Sequence, residues 1–178
     1  MNYYLSFAPF LSLSPPSAFK MFVKTVSHFG DVLHEDWMKR YVDMRAAAGI
    51  HYPGYMIHES AAWSRLRQQW TFLPRRAHKG RYDDKEDERH ATNFIINADA
   101  EFSDVRIKTL GPLKPEHGFS SFKFIPDTRD ELVVALKSKE VNGHLESFIM
   151  VYDVKSGATI MDEVTIPGSY KFEGVEFI

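Results

Sequence analysis

Two adjacent arginines followed by a run of charged residues are the clearest indication of chemistry in this sequence. Arg75 and Arg76 follow the stretch Gln69–Leu73, which predicts a buried strand, and the polar loop after them ends in an acidic run from Asp83 to Glu88. A guanidinium group is always charged and can bind two phosphate oxygens at once. The pattern suits an anion site, and the acidic residues could order the arginines or attract a cation. A solvated loop whose charges neutralise each other is the alternative.

The composition of the chain limits the classes of function. Among its 178 residues, 22 basic and 24 acidic side chains give a net charge of −2, so there is no general attraction to nucleic acid. The absence of cysteine excludes disulfides and thiolate metal sites. No stretch is long and apolar enough to cross a bilayer. We therefore predict neither a nucleic-acid partner nor a membrane segment.

The predicted elements that must position these residues are mostly short strands. Lys20–Ser27 predicts a strand, and apolar residues at helical spacing between Asp36 and Gly49 predict one short helix near the N-terminus. Further strands are predicted at Tyr55–Trp63, Gln69–Leu73, Thr92–Asn97, Val105–Leu110, Phe119–Ile125, Glu131–Lys137, Ser147–Val154, Thr159–Ile166 and Phe172–Ile178. Gly111-Pro112 and Pro167-Gly168 divide them into four, four and one.

This grouping predicts an all-β fold made of repeated antiparallel units. Four-stranded units that recur at about 50 residues resemble the blades of a β-propeller. The segments that open the three units carry Glu59, Ser120 and Glu173. Because the first strand of each blade lines the central channel, these three oxygen donors are predicted to converge on one axis. A β-sandwich, in which the three residues are unrelated, is the alternative.

Several longer motifs resemble the calcium-activated nucleotidase (apyrase) family, and specifically its C-terminal half. The resemblance covers about residues 22–178. The motifs are Gly49-Ile50, Pro53-Gly54-Tyr55, Ile57-His58-Glu59, Trp63, Phe72-Leu73-Pro74-Arg75-Arg76, Arg81-Tyr82, Asp87-Glu88-Arg89, His117-Gly118-Phe119-Ser120-Ser121-Phe122-Lys123-Phe124-Ile125-Pro126, Val134-Ala135-Leu136-Lys137-Ser138 and Lys171-Phe172-Glu173-Gly174-Val175-Glu176-Phe177-Ile178.

The resemblance implies a fold, a cofactor and an activity. The fold would be the C-terminal portion of a five-bladed β-propeller with calcium in its central channel. The activity would be hydrolysis of nucleoside di- and triphosphates of the UDP, GDP and ADP class. Calcium binds carboxylate and hydroxyl oxygens, and the residues that match the family's ligands are Glu59, Ser120 and Glu173. The residues that match its motifs near the nucleotide are Arg75, Arg76 and Arg89.

The first 21 residues do not resemble the family, and we expect them to form a disordered leader. Met1–Phe19 has no basic start and its apolar residues are interrupted by proline and serine, so it is not predicted to be a secretory signal. The family resemblance nevertheless implies the secretory pathway or secretion, and it allows a homodimer.

The family's N-terminal half, with further calcium ligands, is not recognisable in this sequence. We therefore expect the chain alone to hydrolyse nucleotides poorly, and no residue is assigned as the attacking base. The alternative is a non-catalytic propeller fragment or interaction module.

Overall fold

The structure is a computed structural model that describes residues 22–27 and 29–178. The predicted leader, residues 1–21, lies outside the described residues, as does the start of the strand predicted at Lys20–Ser27. The described residues form three antiparallel sheets and two helices.

The elements follow one another in a simple order. A hairpin of β1 (Phe22–Val26) and β2 (Val32–Asp36) precedes helix α1 (Met38–Ala47). The first four-stranded sheet contains β3 (Tyr55–Ser64), β4 (Gln69–His78), β5 (Phe94–Ala98) and β6 (Val105–Thr109), with the short helix α2 (Asp84–Asp87) between β4 and β5. The second contains β7 (Gly118–Phe124), β8 (Leu132–Val141), β9 (His144–Asp153) and β10 (Thr159–Ile166).

Each four-stranded sheet pairs its strands in chain order. The loop between β8 and β9 shows the local chemistry, because Asn142 and Gly143 both have positive φ angles of 51° and 78°. Asn-Gly is the pair that adopts such two-residue hairpin turns at least cost. The two groups of four strands predicted from the sequence are confirmed. The first strand of the second sheet, β7, lies against β3 and β4 of the first.

Both faces of the first sheet are buried, because its side chains alternate between two cores. Phe72 and Ile96 point to one face and pack in a cluster that includes Trp37 from the segment before α1. Leu73 and Ile95 point to the other face and pack with the second sheet. The first sheet therefore packs between the α1 region and the second sheet.

The sequence prediction of the strands was wrong in three places. The segment Phe172–Ile178 contains no strand, because among the described residues its backbone bonds to side chains and not to a partner strand. Strand β2 was not predicted. Strand β4 continues past Leu73, so Arg75 and Arg76 lie in a strand and are buried, not in a polar loop. Pro74 is tolerated there because it lies opposite a β-bulge of β3, where the regular ladder is broken.

The fold class is otherwise as predicted: mostly strand, in antiparallel sheets, with α1 near the N-terminus and the four-residue α2 as the other described helix. No sheet of the described residues closes on itself. Neither helix in the described part of the chain is long and apolar enough to span a membrane.

Candidate functional site

Glu59 and Ser120 occupy corresponding positions in the two four-stranded sheets. Each lies on the first strand of its sheet, Glu59 on β3 and Ser120 on β7, as the sequence predicted. In both strands the register shifts around this residue, which leaves it without a cross-strand partner. A β-bulge of this kind re-aims a side chain and often occurs beside functional sites. Glu59 and Ser120 therefore share the same backbone setting, a bulge in the first strand of a sheet.

Arg75 connects Glu59 of the first sheet to the second sheet. Its Nη1 atom lies 3.3 Å from Oε2 of Glu59 and donates to Oγ of Ser138 on β8 at 2.8 Å. The Arg75 side chain is almost wholly buried, and that of Glu59 is 25% exposed. A guanidinium and a carboxylate are thus held together at the junction of the two sheets.

A row of small residues on the second sheet makes room for this arginine. Gly118, Ser138 and Ser147 are direct cross-strand partners on β7, β8 and β9, so they share one face of the sheet. A Cβ atom on Gly118 would lie 2.8 Å from Cγ of Arg75 and 2.5 Å from Nη1 of Arg76. We call these three residues the small-residue row. Arg75 crosses it at Gly118 and bonds to it at Ser138.

The carboxyl group of Glu59 is in an unusual electrostatic setting. Burial raises its pKa, the charge of Glu173 raises it further, and the cations Arg75 and Lys171 oppose the shift. The charges of Glu59 and Glu173 therefore influence each other, although burial contributes more to the raised pKa of Glu59. Glu173 itself is 70% exposed and lies 3.1 Å from Nζ of Lys171. It does not lie in a strand, contrary to the prediction that it opens a third unit in the same way as the others.

Ser120 contacts the chain immediately before Glu173. Its Oγ atom donates to the carbonyl oxygen of Phe172 at 2.9 Å, across 52 positions of sequence. Because the hydroxyl proton is used in that bond, the lone pairs of Oγ can still accept a hydrogen bond or bind a cation. The structure thus brings Ser120 beside the backbone that carries Glu173, and Glu173 within electrostatic reach of Glu59.

The donor set formed by Glu59, Ser120 and Glu173 suits a hard cation such as calcium, which prefers carboxylate and hydroxyl oxygens. Here Arg75 and Lys171 neutralise the two carboxylates instead. Within residues 22–27 and 29–178, no group of three or more His, Cys, Asp or Glu side chains lies close enough to hold a metal ion. The oxygen types of the three residues thus fit calcium, and their convergence on one ion stays a prediction.

Arg76 is ordered by the acidic run, one of the roles that the sequence suggested for it. Its Nε atom lies 3.9 Å from Oδ2 of Asp87, and Asp87 also accepts a hydrogen bond from the Tyr55 hydroxyl at 2.6 Å. The same hydroxyl lies 2.9 Å from Nδ1 of His90. Burial and the neighbouring Arg75 lower the pKa of Arg76, and its Nη1 atom is buried without a hydrogen-bond partner. The N–H groups of Nη1 thus have no acceptor among the described residues.

Arg89 lies in a different setting. It is half-exposed, and its Nε atom lies 3.7 Å from Oε1 of Glu116. Both residues line an open groove of about 740 Å³ beside the hairpin turn at Asn142-Gly143, together with Lys139. The three predicted arginines therefore divide into a buried pair, Arg75 and Arg76, and a groove residue.

The sequence did not single out Ser138 or Ser147 as functional residues. Ser138 was only part of a longer motif, and Ser147 was the first residue of a predicted strand. Their importance depends on strand register, which places them side by side with Gly118. No periodicity or motif spacing reveals such a pairing.

Comparison with known proteins gives a consistent result. The model of the apyrase family matches residues 17–178. The chain is 51% identical over 156 residues to soluble calcium-activated nucleotidase 1 of Rattus norvegicus, covering 88% of this chain and 38% of that protein. It is 42% identical to apyrase apy-1 of Caenorhabditis elegans over 88% of this chain and 44% of that protein. For an apyrase of Cimex lectularius the identity is 35%, over 89% and 43% of the two chains. The chain thus spans less than half the length of these relatives.

Proposed function

Because this chain belongs to the apyrase family, we propose that it contributes to calcium-dependent hydrolysis of nucleoside di- and triphosphates. The observation that supports this most is the contact between Arg75 and Glu59, 3.3 Å apart at the junction of the two sheets. It places a cation of the type that binds phosphate beside a carboxylate of the type that binds calcium. The names of the relatives agree with both parts of the proposal, since they include a calcium-activated nucleotidase and apyrases.

In this proposal Glu59, Ser120 and Glu173 hold the calcium ion. When bound, the ion would supply positive charge to phosphate oxygens, as metal ions do in phosphoryl transfer. The protein's part is to hold the ligands in place. Glu59 and Ser120 do so from bulges in the first strands of the two sheets. The hydroxyl proton of Ser120 is donated to the Phe172 carbonyl, which leaves the lone pairs of Oγ for the ion.

The three arginines are the proposed contacts for substrate. Arg75 lies beside the candidate calcium ligand, so it is best placed to stabilise negative charge on a phosphate group. Arg76 has an unpartnered Nη1 atom next to it. Arg89 lines the open groove and would contact a more distant part of the nucleotide. Nucleotides of the UDP, GDP and ADP class are the proposed substrates.

We also propose that the two four-stranded sheets are successive blades of a five-bladed propeller. Three observations support this arrangement. Each sheet is a four-stranded meander, the first strands lie side by side, and the corresponding residues Glu59 and Ser120 both lie in bulges. By the same family resemblance we propose a secreted or secretory-pathway location.

Phosphate release from UDP, GDP and ADP, with calcium or with a chelator, tests the function. The assay uses this chain and a chimera in which it replaces the matching 156 residues of the rat relative. We expect calcium-dependent release by the chimera, a loss of roughly 100-fold on Arg75→Ala, and little release by the chain alone. A folded chimera without activity would favour the alternative of a non-catalytic module.

A further inference from the structure

The C-terminal segment, residues 170–178, is attached to the second sheet through serine side chains. Ser147 on β9 makes two of these bonds: its Oγ atom donates to the carbonyl oxygen of Tyr170 at 2.8 Å and accepts from the backbone N–H of Phe172 at 3.0 Å. Ser147 is 1% exposed, and both functions of its hydroxyl are used. Ser120 adds the third bond, to the carbonyl of Phe172.

These bonds take the place of a strand ladder. The described residues of this segment form no strand, so nothing regular sets its direction. The two bonds to Ser147 fix the chain on both sides of Lys171, and the residue directly after Phe172 is Glu173. Ser147, at the β9 end of the small-residue row, thus positions the backbone directly before Glu173, a candidate calcium ligand.

Lys171 shows why this attachment matters for a cation. Its Nζ atom lies 3.1 Å from Glu173 and 3.2 Å from Glu140, so it already neutralises the Glu173 carboxylate. A cation must compete with this ammonium group. It can do so only if the backbone holds Glu173 close to Glu59, where both carboxylates act together.

We propose that Ser147 is a positioning residue for the cation site: it anchors the C-terminal segment so that Glu173 is presented beside Glu59 and Ser120. The inference rests on the proposed function, because it assumes that these three residues bind calcium. It adds a residue that touches neither the ion nor the substrate. Arg75 bonds to Ser138 and the C-terminal segment bonds to Ser147. The small-residue row thus supports both the arginine and the segment that carries Glu173.

Ser147→Ala is a suitable variant because its effect should stay local. Tyr170 and Phe172 are 63% and 39% exposed and lie outside every strand, so the loss of these two bonds should leave the sheets intact. Ser147→Cys is a second variant of similar size with a weak hydrogen-bonding group. Ser64→Ala is the matched control. Ser64 is also buried, donates to Asp130 at 2.7 Å and accepts from a backbone N–H at 3.0 Å, but it lies in a different loop contact.

Two measurements test the proposal, both on the full chain and on the chimera described above. Calcium affinity is measured by titration calorimetry with calcium alone, and hydrogen exchange is followed for the amides of residues 170–176. We expect Ser147→Ala and Ser147→Cys to weaken calcium binding about 10-fold, which corresponds to ~1.4 kcal/mol, and to speed exchange in that segment. Ser64→Ala should leave both unchanged.

The outcomes separate the two hypotheses. If neither the wild-type chain nor the wild-type chimera binds calcium, the proposed function fails. If the wild type binds and both Ser147 variants bind equally well, the proposed function stands and the positioning role is refuted. Equal loss of affinity in Ser64→Ala would also refute it, because the effect would then follow from general destabilisation.

Discussion

The carboxylate of Glu163 on β10 is hydrogen-bonded to His117 and Lys114 and lies near Lys137, so its removal should destabilise the protein in a pH-dependent way. His117 Nδ1 and Lys114 Nζ lie 2.5 Å and 2.8 Å from its Oε1 atom, and Lys137 Nζ lies 3.7 Å from Oε2. Burial alone would raise the pKa of Glu163, but the hydrogen bonds from His117 and Lys114 and the charge of Lys137 lower it to about 2. Lys137 is itself buried over the Phe119 ring.

The size of the effect follows from the pKa. A fall from the usual 4.5 to about 2 corresponds to about 3 kcal/mol of folding free energy, at ~1.4 kcal/mol for each pH unit. The folded-state pKa lies below the unfolded one, so the ionised carboxylate stabilises the native state. This contribution is complete above pH 4.5 and is lost as the pH falls from 4.5 towards 2. The Glu163 side chain is only 8% exposed, so solvent screening reduces it little.

Urea unfolding of Glu163→Gln and the wild type at pH 7 and pH 3 measures this contribution. We expect Glu163→Gln to be less stable by about 3 kcal/mol at pH 7 and the difference to shrink clearly at pH 3. The matched control is Glu176→Gln, since Glu176 pairs with Lys123 at 2.6 Å but is 67% exposed. Exposed pairs contribute little, so this control should behave as the wild type. An equal difference at both pH values would show that Glu163 acts through packing, and the electrostatic reasoning would be refuted.

Three further substitutions test the contacts around the candidate site. Gly118→Ala should cost about 1–3 kcal/mol in urea unfolding, because the new Cβ would also lie 3.0 Å from the backbone oxygen of Arg75; unchanged stability would contradict this close approach. Tyr55→Phe removes the hydroxyl that donates to Asp87 and should cost about 1–3 kcal/mol, whereas Tyr82→Phe should cost less, because Tyr82 is only partly buried and Tyr55 is fully buried. Arg75→Lys in the chimera should lower phosphate release roughly 100-fold while the unfolding midpoint changes little, since lysine cannot reproduce the fork of donors; retained activity would exclude a specific guanidinium role.

Much of this protein was determined by local sequence. Alternating apolar residues and the breaks at Gly111-Pro112 and Pro167-Gly168 were sufficient to predict two groups of four strands. The ordered motifs indicated the family. The positions of Glu59 and Ser120 on the first strand of each group were also predictable, since equivalent positions in repeated units follow from spacing alone.

Tertiary structure decided which of these residues meet. The bond from Arg75 to Ser138 spans 63 positions, and it exists because strand register puts Ser138 beside Gly118, where the missing side chain lets the arginine pass. Phe172–Ile178 has the composition of a strand, but a strand also needs a partner with free backbone groups. Among the described residues, the backbone of Phe172 bonds to the hydroxyls of Ser147 and Ser120 instead. Sequence patterns report local periodicity, whereas burial, register and the presence of a partner strand depend on the whole chain. These tertiary features placed Arg76 in a buried strand and Glu173 on an exposed segment.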